Sequence, residues 1–524
     1  MTLYKNAHII TQNPNQPNAS AFVVADGKFV AIGDDDLVEK FAEKTTQVVD
    51  LEGKTIIPGF IDAHIHIWKV GSLITHILDV RGMKSIEEIK AALVEFDKKN
   101  ASLPWIVARG FNESSLAEGR MPTAADLDEV STEKPIFLQR TCAHIAVVNT
   151  KGLEVSGIDN QTITPTGGEI RLDESGNPNG ILCETAMGLA TKLFPKNSFE
   201  DYVLMVQAAG KEMLASGITF ATDPAVAPDL LEAYIEMDKQ HILPMRVSAI
   251  PILLPDGGAE AYPLPKKYFS DYLVVDTVKF FSDGGLSGKT AALLRTYKNT
   301  NEKGILRLDP QQFEQLAFEA HEADFRIATH AIGDAAIELV IETYKKINQR
   351  LPKKLQHRIE HLGIPTEKQL QEIIENNFWV VTQPIFIKEL GKNFRMYLDD
   401  EYLANCYPYK KQLVAGVKTA FSSDAPVVKD FRPLSGIQAA VLRQDATGVT
   451  ISESEKLTIA EALKAYTQDA AEANGVGDKV GSISAGKFAD FVVLDKNILE
   501  TAAEDLDKIN ILETYIGGKR VYNR

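Results

Sequence analysis

Residues 58–66 read Pro-Gly-Phe-Ile-Asp-Ala-His-Ile-His, an apolar run that ends in two histidines separated by one residue. In an extended strand this spacing directs the imidazoles of His64 and His66 to the same face. Two neutral imidazoles on one face suit a single borderline metal ion. Because a lone His-x-His pair is weak evidence, the rest of the chain decides whether these residues form a metal site.

Three other ligand-type side chains stand where a short apolar run gives way to a loop. His330, His361 and Asp424 each close such a run. A structural role is the alternative for each of them: a buried, hydrogen-bonded histidine or, for Asp424, a helix cap. Their coincidence with the His-x-His pair favours a shared metal site.

Short apolar runs alternate with amphipathic helical segments between about Pro58 and Val480. This alternation predicts α/β structure with a parallel sheet, and the strands fit a closed (β/α)8 TIM barrel better than an open sheet. In such a barrel the carboxyl ends of the strands meet at one face, where active sites lie. The candidate strands are Thr55–Ala63, Gly217–Thr222, Arg246–Ile250, Thr277–Phe281, Ile327–Thr329, Arg358–Ile359, Trp379–Thr382 and Lys418–Phe421. The candidate helices are Asp201–Ser216, Pro228–Gln240, Pro310–Ala323 and Asp334–Asn348.

Both ends of the chain have strand patterns instead. Asp26-Gly27 lies between two apolar runs, which indicates a hairpin, and Gly517-Gly518 does the same near the other end. We expect a small β-sandwich domain formed by both termini, from residues 1–57 and 481–524. The barrel domain would occupy residues 58–480 between them.

Residues 81–179 break the alternation of strands and helices. This stretch is too long for a single crossover, and it contains the turn signals Gly167-Gly168 and Asn177-Pro178-Asn179-Gly180. We expect an insertion over the barrel mouth there. Such loops shape a substrate pocket, and the substrate itself does not follow from the sequence.

Lys279 lies in a strand pattern with apolar residues on both sides, Leu273 to Phe281. Burial in such surroundings lowers the pKa of a lysine. A neutral amine reacts with CO2 to give a carbamate, an anionic ligand that bridges two metal ions. The alternative is a lysine that pairs with a carboxylate or reaches solvent.

Composition and charge exclude several classes of protein. The formal net charge of −16 argues against nucleic-acid binding, which needs a basic surface. No apolar stretch is long enough to cross a bilayer, and residues 1–6 lack the basic start of a signal peptide. Cys142, Cys183 and Cys406 share no short spacing, so neither a disulfide framework nor a cysteine-bound zinc is expected. We expect a cytoplasmic enzyme without membrane partners, and a homodimer by default.

Together these motifs resemble the amidohydrolase superfamily, and most closely amidohydrolase family 3, the YtcJ-like branch that includes N-substituted formamide deformylases. The resemblance covers nearly the whole chain, and the order of the motifs is specific. The segments that carry it are residues 58–66, Val278–Gly284, Thr329–Asp334, Arg358–His361, Ser423–Pro426 and Gly481–Leu494.

The resemblance implies a site with two divalent metal ions. It assigns His64, His66 and Asp424 to the more buried ion, His330 and His361 to the more exposed ion, and a carboxylated Lys279 to a bridge between them, together with a hydroxide. By ligand type zinc is the expected ion, and iron, manganese or cobalt also suit this nitrogen and oxygen set.

The implied reaction is hydrolysis of a carbon–nitrogen bond in a small amide other than a peptide. The metals lower the pKa of the bridging water from about 15.7 toward neutrality. Asp424 acts as general base and then as general acid on the leaving nitrogen. The segment around His144 resembles the one in which this branch places a histidine near the substrate. Trp68 and Phe111 are candidates for the pocket wall, with plain packing as the alternative.

Other reaction classes stay open. A one-metal deaminase acting on a ring C–N bond has no need of a bridging carbamate on Lys279. An isomerase or decarboxylase of the same superfamily is a second alternative. A non-enzymatic binding protein is a third, and the complete ligand set argues against it.

Overall fold

The computed structural model describes residues 1–41, 47–141, 145–165, 168–255 and 260–524. The strands are β1 Thr2–Lys5, β2 His8–Ile10, β3 Asn18–Ala19, β4 Ala21–Ala25, β5 Lys28–Gly33, β6 Gln47–Asp50, β7 Thr55–Pro58, β8 Phe60–Asp62, β9 Ile77–Asp79, β10 Ile106–Phe111, β11 Ile136–Arg140, β12 Ile145–Val148, β13 Gly168–Leu172, β14 Pro178–Glu184, β15 Ile218–Val226, β16 Arg246–Pro251, β17 Tyr268–Phe269, β18 Leu273–Val275, β19 Thr277–Phe281, β20 Arg326–Ala331, β21 Arg358–His361, β22 Trp379–Thr382, β23 Lys418–Phe421, β24 Phe491–Leu494, β25 Ile511–Ile516 and β26 Lys519–Asn523. The helices are α1 Asp35–Phe41, α2 Ile67–Thr75, α3 Ile86–Lys99, α4 Ala124–Asp128, α5 Thr150–Ser156, α6 Gly188–Thr191, α7 Phe199–Ala215, α8 Pro228–Lys239, α9 Pro310–Glu322, α10 Asp334–Arg350, α11 Glu367–Glu375, α12 Ile385–Tyr397, α13 Asp400–Ala404, α14 Tyr409–Ala415, α15 Pro433–Leu442, α16 Ile459–Ala465 and α17 Gln468–Ala473.

The chain divides into two compact units. The first comprises Met1–Ile67 and Gly210–Arg524, and the second comprises Trp68–Ala209. None of the described helices combines the length and the apolar character that crossing a bilayer requires.

Eight parallel strands, besides the short parallel strand β18, form the centre of the first unit. Strand β8 pairs with β15 and β15 with β16, which also pairs with β18, while β19 to β23 pair in chain order. A bridge between Ile252 and Lys279 joins the two sets. The main-chain nitrogen of Ala63, just after β8, donates to the oxygen of Phe421 in β23 at 3.4 Å. One isolated bridge and one main-chain hydrogen bond therefore connect the two sets of strands.

Strands at the middle of this set are buried on both faces. Every residue of β16, β21 and β22 is buried, as expected of parallel strands covered by helices. Covering helices begin at recognisable start signals, of which the one at Pro310 was predicted. Pro310 occupies the first turn of α9 behind the N-cap Asp309, and α11 begins with a capping box formed by Thr366 and Gln369.

The predicted single strand Thr55–Ala63 is wrong, because the structure has two strands there. Strand β7 ends at Pro58 and pairs antiparallel with β24, whereas β8 begins at Phe60 and pairs with β15. Between them, the nitrogen of Gly59 donates to the oxygen of Asp490 at 3.0 Å. A side chain at Gly59 would collide with Thr219, so glycine is required where the chain passes from one sheet to the other.

Both termini of the chain enter the same six-stranded sheet, in the order β26-β25-β24-β7-β2-β3. A four-stranded sheet, β5-β4-β1-β6, belongs to the same unit. The hairpins predicted at Asp26-Gly27 and Gly517-Gly518 are confirmed by the antiparallel pairs β4–β5 and β25–β26. Tyr4, Phe22 and Phe491 pack together with ring centroids 4.8 to 5.4 Å apart, which gives these sheets an aromatic core.

The second unit has a sheet and a core of its own. Its six strands run in the order β13-β14-β12-β11-β10-β9. Helix α3 contributes Ile89 and Leu93 to an apolar cluster with Ile106, Leu138 and Val147, all of them buried. This unit extends beyond the segment 81–179 expected from turn signals at both ends, because it includes most of α2 and most of α7.

Candidate metal centre

The candidate ligands lie at the carboxyl ends of the parallel strands of the first unit. His64 and His66 follow β8, Lys279 lies within β19, His330 lies near the end of β20, His361 ends β21 and Asp424 follows β23. Five different strands therefore contribute these six residues to one region. The structure thus brings together side chains that are hundreds of residues apart in the sequence.

The imidazoles and the carboxylate are in close contact. Oδ1 of Asp424 lies 3.4 Å from Nε2 of His64 and 3.4 Å from Nε2 of His66. The ring centroids of His64 and His361 are 4.9 Å apart, and those of His361 and His330 are 4.4 Å apart. One ligand atom each from His64, His361 and Asp424 lie within 4.8 Å of one another, close enough to hold one metal ion.

Two of these residues have an unusual backbone conformation, which sets the direction of their side chains. His361 has φ +75° and Asp424 has φ +59°, the left-handed region that is uncommon for residues other than glycine. Such strain persists where the surrounding structure fixes it, and it is concentrated at functional sites. The nitrogen of Asp424 donates to the oxygen of His64 at 2.8 Å, which holds the two strand ends together.

Lys279 is completely buried, and among the described residues its Nζ has no hydrogen-bond partner. It lies 4.7 Å from the centre of the Phe281 ring. Burial lowers the pKa of Lys279 to about 8, against the opposing attraction of Glu360 and Asp424. An amine that is buried, easily neutral and without a partner suits carbamate formation, and it fits the group that the sequence implies.

Each candidate histidine has one ring nitrogen within hydrogen-bond distance of a protein acceptor. In metal-binding histidines such an acceptor orients the ring while the other nitrogen binds the metal ion. The occupied nitrogens are Nδ1 of His64 on Glu360, Nδ1 of His66 on the oxygen of Pro224 at 3.2 Å, Nδ1 of His361 on Oε1 of Gln383 at 2.7 Å, and Nε2 of His330 on the oxygen of Gly284 at 3.1 Å.

Burial and neighbouring charges set the protonation of the histidines. Burial, together with the positive charge of Lys279, lowers the pKa of His330 to about 3. Burial also holds the pKa of His361 well below its usual range. Burial opposes the charged form of His64 too, but hydrogen bonds with Asp424 and Glu360 outweigh it and raise that pKa. The lowered pKa of His330 and His361 favours the neutral imidazole, which is the form that binds a metal ion.

Glu360 lies beside the candidate ligands, and the sequence reasoning did not single it out. It is completely buried between His64 and Arg358, whose Nε donates to it at 2.8 Å. Burial alone would raise the pKa of Glu360, but the Arg358 guanidinium holds it well below its usual range. A signal was present: two opposite charges flank one apolar residue in Arg358-Ile-Glu-His361, directly beside a ligand.

Two buried aspartates, Asp62 and Asp283, also brace the site and were missed. Oδ1 of Asp62 accepts hydrogen bonds from the nitrogens of His64 and Ser423 at 3.1 and 3.2 Å. Oδ1 of Asp283 lies 3.2 Å from Nε2 of His330. Burial raises the pKa of both carboxyls to about 7. Asp62 stands within the quoted stretch 58–66, so its place between Ile61 and the His-x-His pair was visible in the sequence.

Of the three predicted substrate contacts, the structure describes Trp68 and Phe111, and both belong to the second unit. Trp68 belongs to the second unit and lines an apolar cavity of about 300 Å³ there with Trp105 and Met205. Phe111 is 1% exposed and packs in the core of the same unit. His144 lies outside the described residues.

Comparison with known proteins gives a consistent result. A family model described as amidohydrolase family matches residues 47–522. The N-substituted formamide deformylase of Arthrobacter pascens is 27% identical over 99% of this chain and 98% of its own length. The Bacillus subtilis (strain 168) protein YtcJ is 28% identical over 100% of this chain and 99% of its own length. The chain is also similar to the solved structure of a metal-dependent hydrolase from Pyrococcus horikoshii OT3, with a TM-score of 0.81 at 25% identity. The match covers 96% of this chain and 99% of the solved chain.

Proposed function

This chain belongs to the amidohydrolase family, and from that premise we propose that it hydrolyses a non-peptide amide bond with metal ions held by His64, His66, Lys279, His330, His361 and Asp424. It is a metal-dependent hydrolase that acts on C–N bonds. The observation that carries the proposal is the convergence of buried imidazoles on Asp424 at the strand ends.

The finer architecture is part of the proposal. We propose that the eight parallel strands close as a (β/α)8 barrel within residues 58–480, supported by the contact between Ala63 and Phe421. The terminal segments 1–57 and 481–524 form the β-sandwich, supported by the pairing of β7 with β24. Residues 81–179 form an insertion within the barrel domain.

The donor set suits two divalent ions, with zinc the expected metal. His64, His66 and Asp424 would hold one ion, and His330 and His361 the other. Lys279 would bridge them after its neutral amine forms a bond to the carbon of CO2 and releases one proton. The buried Nζ without a partner among the described residues supports this role.

When bound, the metal ions lower the pKa of a water molecule and polarise the substrate carbonyl. Asp424 then accepts the proton of the attacking water and returns it to the leaving nitrogen. Burial opposes ionisation of Asp424, but hydrogen bonds from His64 and His66 hold its pKa well below the usual range, so it starts as a base. His144 would add a hydrogen bond to the tetrahedral intermediate.

The substrate is a small amide, and N-substituted formamides are the first class to assay because a relative of matching length is named as their deformylase. We keep Trp68, Phe111 and His144 as the proposed substrate contacts. A homodimer in solution is also part of the proposal.

The test is the Asp424→Asn variant, assayed on a panel of formamides and other simple amides after metal loading. Loss of the base should lower kcat by about a hundredfold or more, while elemental analysis finds most of the metal still bound. Asp430→Asn, six residues later and paired with Arg432, is the matched control and should hydrolyse like the natural protein. Full turnover by Asp424→Asn would remove the proposed role.

A second candidate is a deaminase with a single metal ion. The tight cluster of one ligand atom each from His64, His361 and Asp424 favours it. Metal analysis distinguishes the two candidates, since the deaminase binds one ion per chain. A Lys279→Met variant that keeps full activity would also favour the deaminase.

A further inference from the structure

Gln383 lies directly after β22 and is completely buried beside His361. Its side-chain oxygen accepts a hydrogen bond from Nδ1 of His361 at 2.7 Å. Its side-chain nitrogen donates to Oγ of Ser422 at 2.9 Å. One amide group therefore joins the end of β21 to the residue that follows β23, across the strand between them.

The hydrogen bonds around Gln383 fix which of its side-chain atoms donates and which accepts. Oγ of Ser422 donates to the main-chain oxygen of Thr382 at 3.2 Å, and a carbonyl oxygen can only accept. Ser422 then offers lone pairs to the amide nitrogen of Gln383, which leaves the amide oxygen facing His361. Since that oxygen also only accepts, Nδ1 of His361 carries the proton and Nε2 keeps its lone pair.

His64 has a partner of a different kind at the same ring position. Its Nδ1 faces the carboxylate of Glu360, which is held in place by Arg358. A carboxylate draws the ring proton toward itself more strongly than a neutral amide and makes the opposite nitrogen a better donor to a metal. The two histidines are therefore unequal ligands although both present Nε2.

We propose that Gln383 is a positioning residue that keeps His361 a weaker metal ligand than His64, so that the ion on the His361 side binds less tightly and exchanges first. The inference rests on the proposed metal-dependent function. It attributes the tighter metal-binding step to Glu360, the partner of His64. It attributes the weaker metal-binding step to Gln383, the partner of His361.

The experiment equilibrates the full-length protein at a series of buffered free-zinc concentrations and measures zinc per chain by elemental analysis. Gln383→Met removes both hydrogen bonds with little change in size. It should move the weaker step to about tenfold higher free zinc or more and leave the tighter step in place. Glu360→Gln should move the tighter step instead.

Two further variants separate positioning from packing. Gln412→Met is the matched control, because Gln412 is equally buried but contacts Thr419 and not a histidine; its zinc curve should match that of the natural protein. Gln383→Glu keeps the acceptor and adds a charge, so it should move the weaker step to lower free zinc. A purely structural role for Gln383 does not produce opposite shifts, and this variant also serves if Gln383→Met does not fold.

The outcomes distinguish this inference from the proposed function. A Gln383→Met curve that coincides with that of the natural protein, or that shifts both steps by the same factor, would overturn the inference and leave the metal centre intact. A natural protein that binds no divalent ion would overturn the proposed function itself. Changes in the visible spectrum of the Co²⁺-loaded protein, confined to the weaker step in the Gln383 variants, would support the inference.

Discussion

At the residue scale, Lys279 combines complete burial with an ammonium nitrogen that has no hydrogen-bond partner among the described residues. An unpaired buried charge is expensive, and the lowered pKa of about 8 is the consequence. Formation of a carbamate would convert this isolated cation into an anionic ligand. The proposed number of metal ions depends on this conversion.

Lys279→Met should therefore lower the affinity for divalent metal by at least about tenfold, because it removes the bridging ligand without leaving a cavity. Zinc per chain after dialysis, measured by elemental analysis, checks this. Lys289→Met is the control, since Lys289 pairs with Glu302. Unchanged zinc content in the Lys279 variant would show that the bridge does not exist.

The sequence identified the candidate ligands, which the structure brings together, but not the residues that contact and orient them. His64, His66, His361 and Asp424 were found because a strand end is visible as an apolar run that stops at a polar residue. Gln383 was not found, because its role depends on the rotamer that reaches His361 from a neighbouring strand. Rotamers and contacts between strands follow from packing, which a single sequence does not reveal.

At the element scale, helices α2 and α7 of the second unit approach closely at a glycine. A Cβ atom on Gly71 would lie 1.9 Å from the main-chain oxygen of Met205, which cannot move aside like a flexible side chain. Only hydrogen fits in this position. The contact therefore fixes the distance between the two helices.

Gly71→Ala should lower the free energy of unfolding by about 1–3 kcal/mol, the usual cost of overpacking. Urea unfolding followed by circular dichroism measures this. Gly188→Ala in α6 is the control, because nothing lies within 4 Å of the added atom and alanine favours helix. Equal midpoints for the two variants would show that α2 and α7 adjust at little cost.

Helix α17 supplies a pH-dependent contribution to stability through Asp469. Burial raises the pKa of this carboxyl to about 6, despite the nearby ammonium of Lys464. The folded state therefore binds a proton that the unfolded state releases near pH 4, so this group's contribution falls as pH rises from about 4 to 6. Asp469→Asn should be more stable than the natural protein above pH 6, by up to about 3 kcal/mol, and similar below pH 4. Thermal unfolding of both proteins across this pH range is the measurement. A difference in melting temperature between them that stays the same at every pH would contradict the prediction.

Helices and strands with strong end signals were predicted well. The strands Thr277–Phe281, Trp379–Thr382 and Lys418–Phe421 have the predicted bounds. Helix α8 begins at Pro228 as predicted, because proline suits the first turn. Helix α12 was not predicted, since its sequence has no side-chain N-cap and follows β22 after only two residues.

At the scale of the whole molecule, the candidate centre gathers ionisable groups that the unfolded chain keeps in water. Lys279, Glu360 and Asp424 are all buried in the first unit. A metal ion that binds only the folded chain stabilises it by mass action, by about 2.7 kcal/mol at a free concentration one hundred times Kd. Removal of metal should therefore lower the free energy of unfolding of the whole folded chain.

Treatment with a chelator should lower the melting temperature, and addition of zinc should restore it. Differential scanning calorimetry of chelated, zinc-loaded and untreated protein makes the comparison. An Asp430→Asn protein should respond as the natural protein does, and Asp424→Asn should respond less. Identical melting temperatures with and without metal would contradict a centre of the proposed kind.

The division into units was the least predictable level. The turn signals between Arg81 and Asn179 indicated extra structure, but they did not reveal that Trp68–Ala209 forms one compact unit with a mixed sheet. Strand order within a sheet depends on contacts between distant residues. No local pattern in the sequence encodes it.

The sheet shared by both termini has a consequence for biosynthesis. Pro58 pairs with Phe491, so the partner of β7 leaves the ribosome long after β7 itself. At about 5–20 residues per second, translation of the chain between them takes roughly 20–90 s. Throughout that interval β7 presents an unpaired apolar edge, a hazard for aggregation.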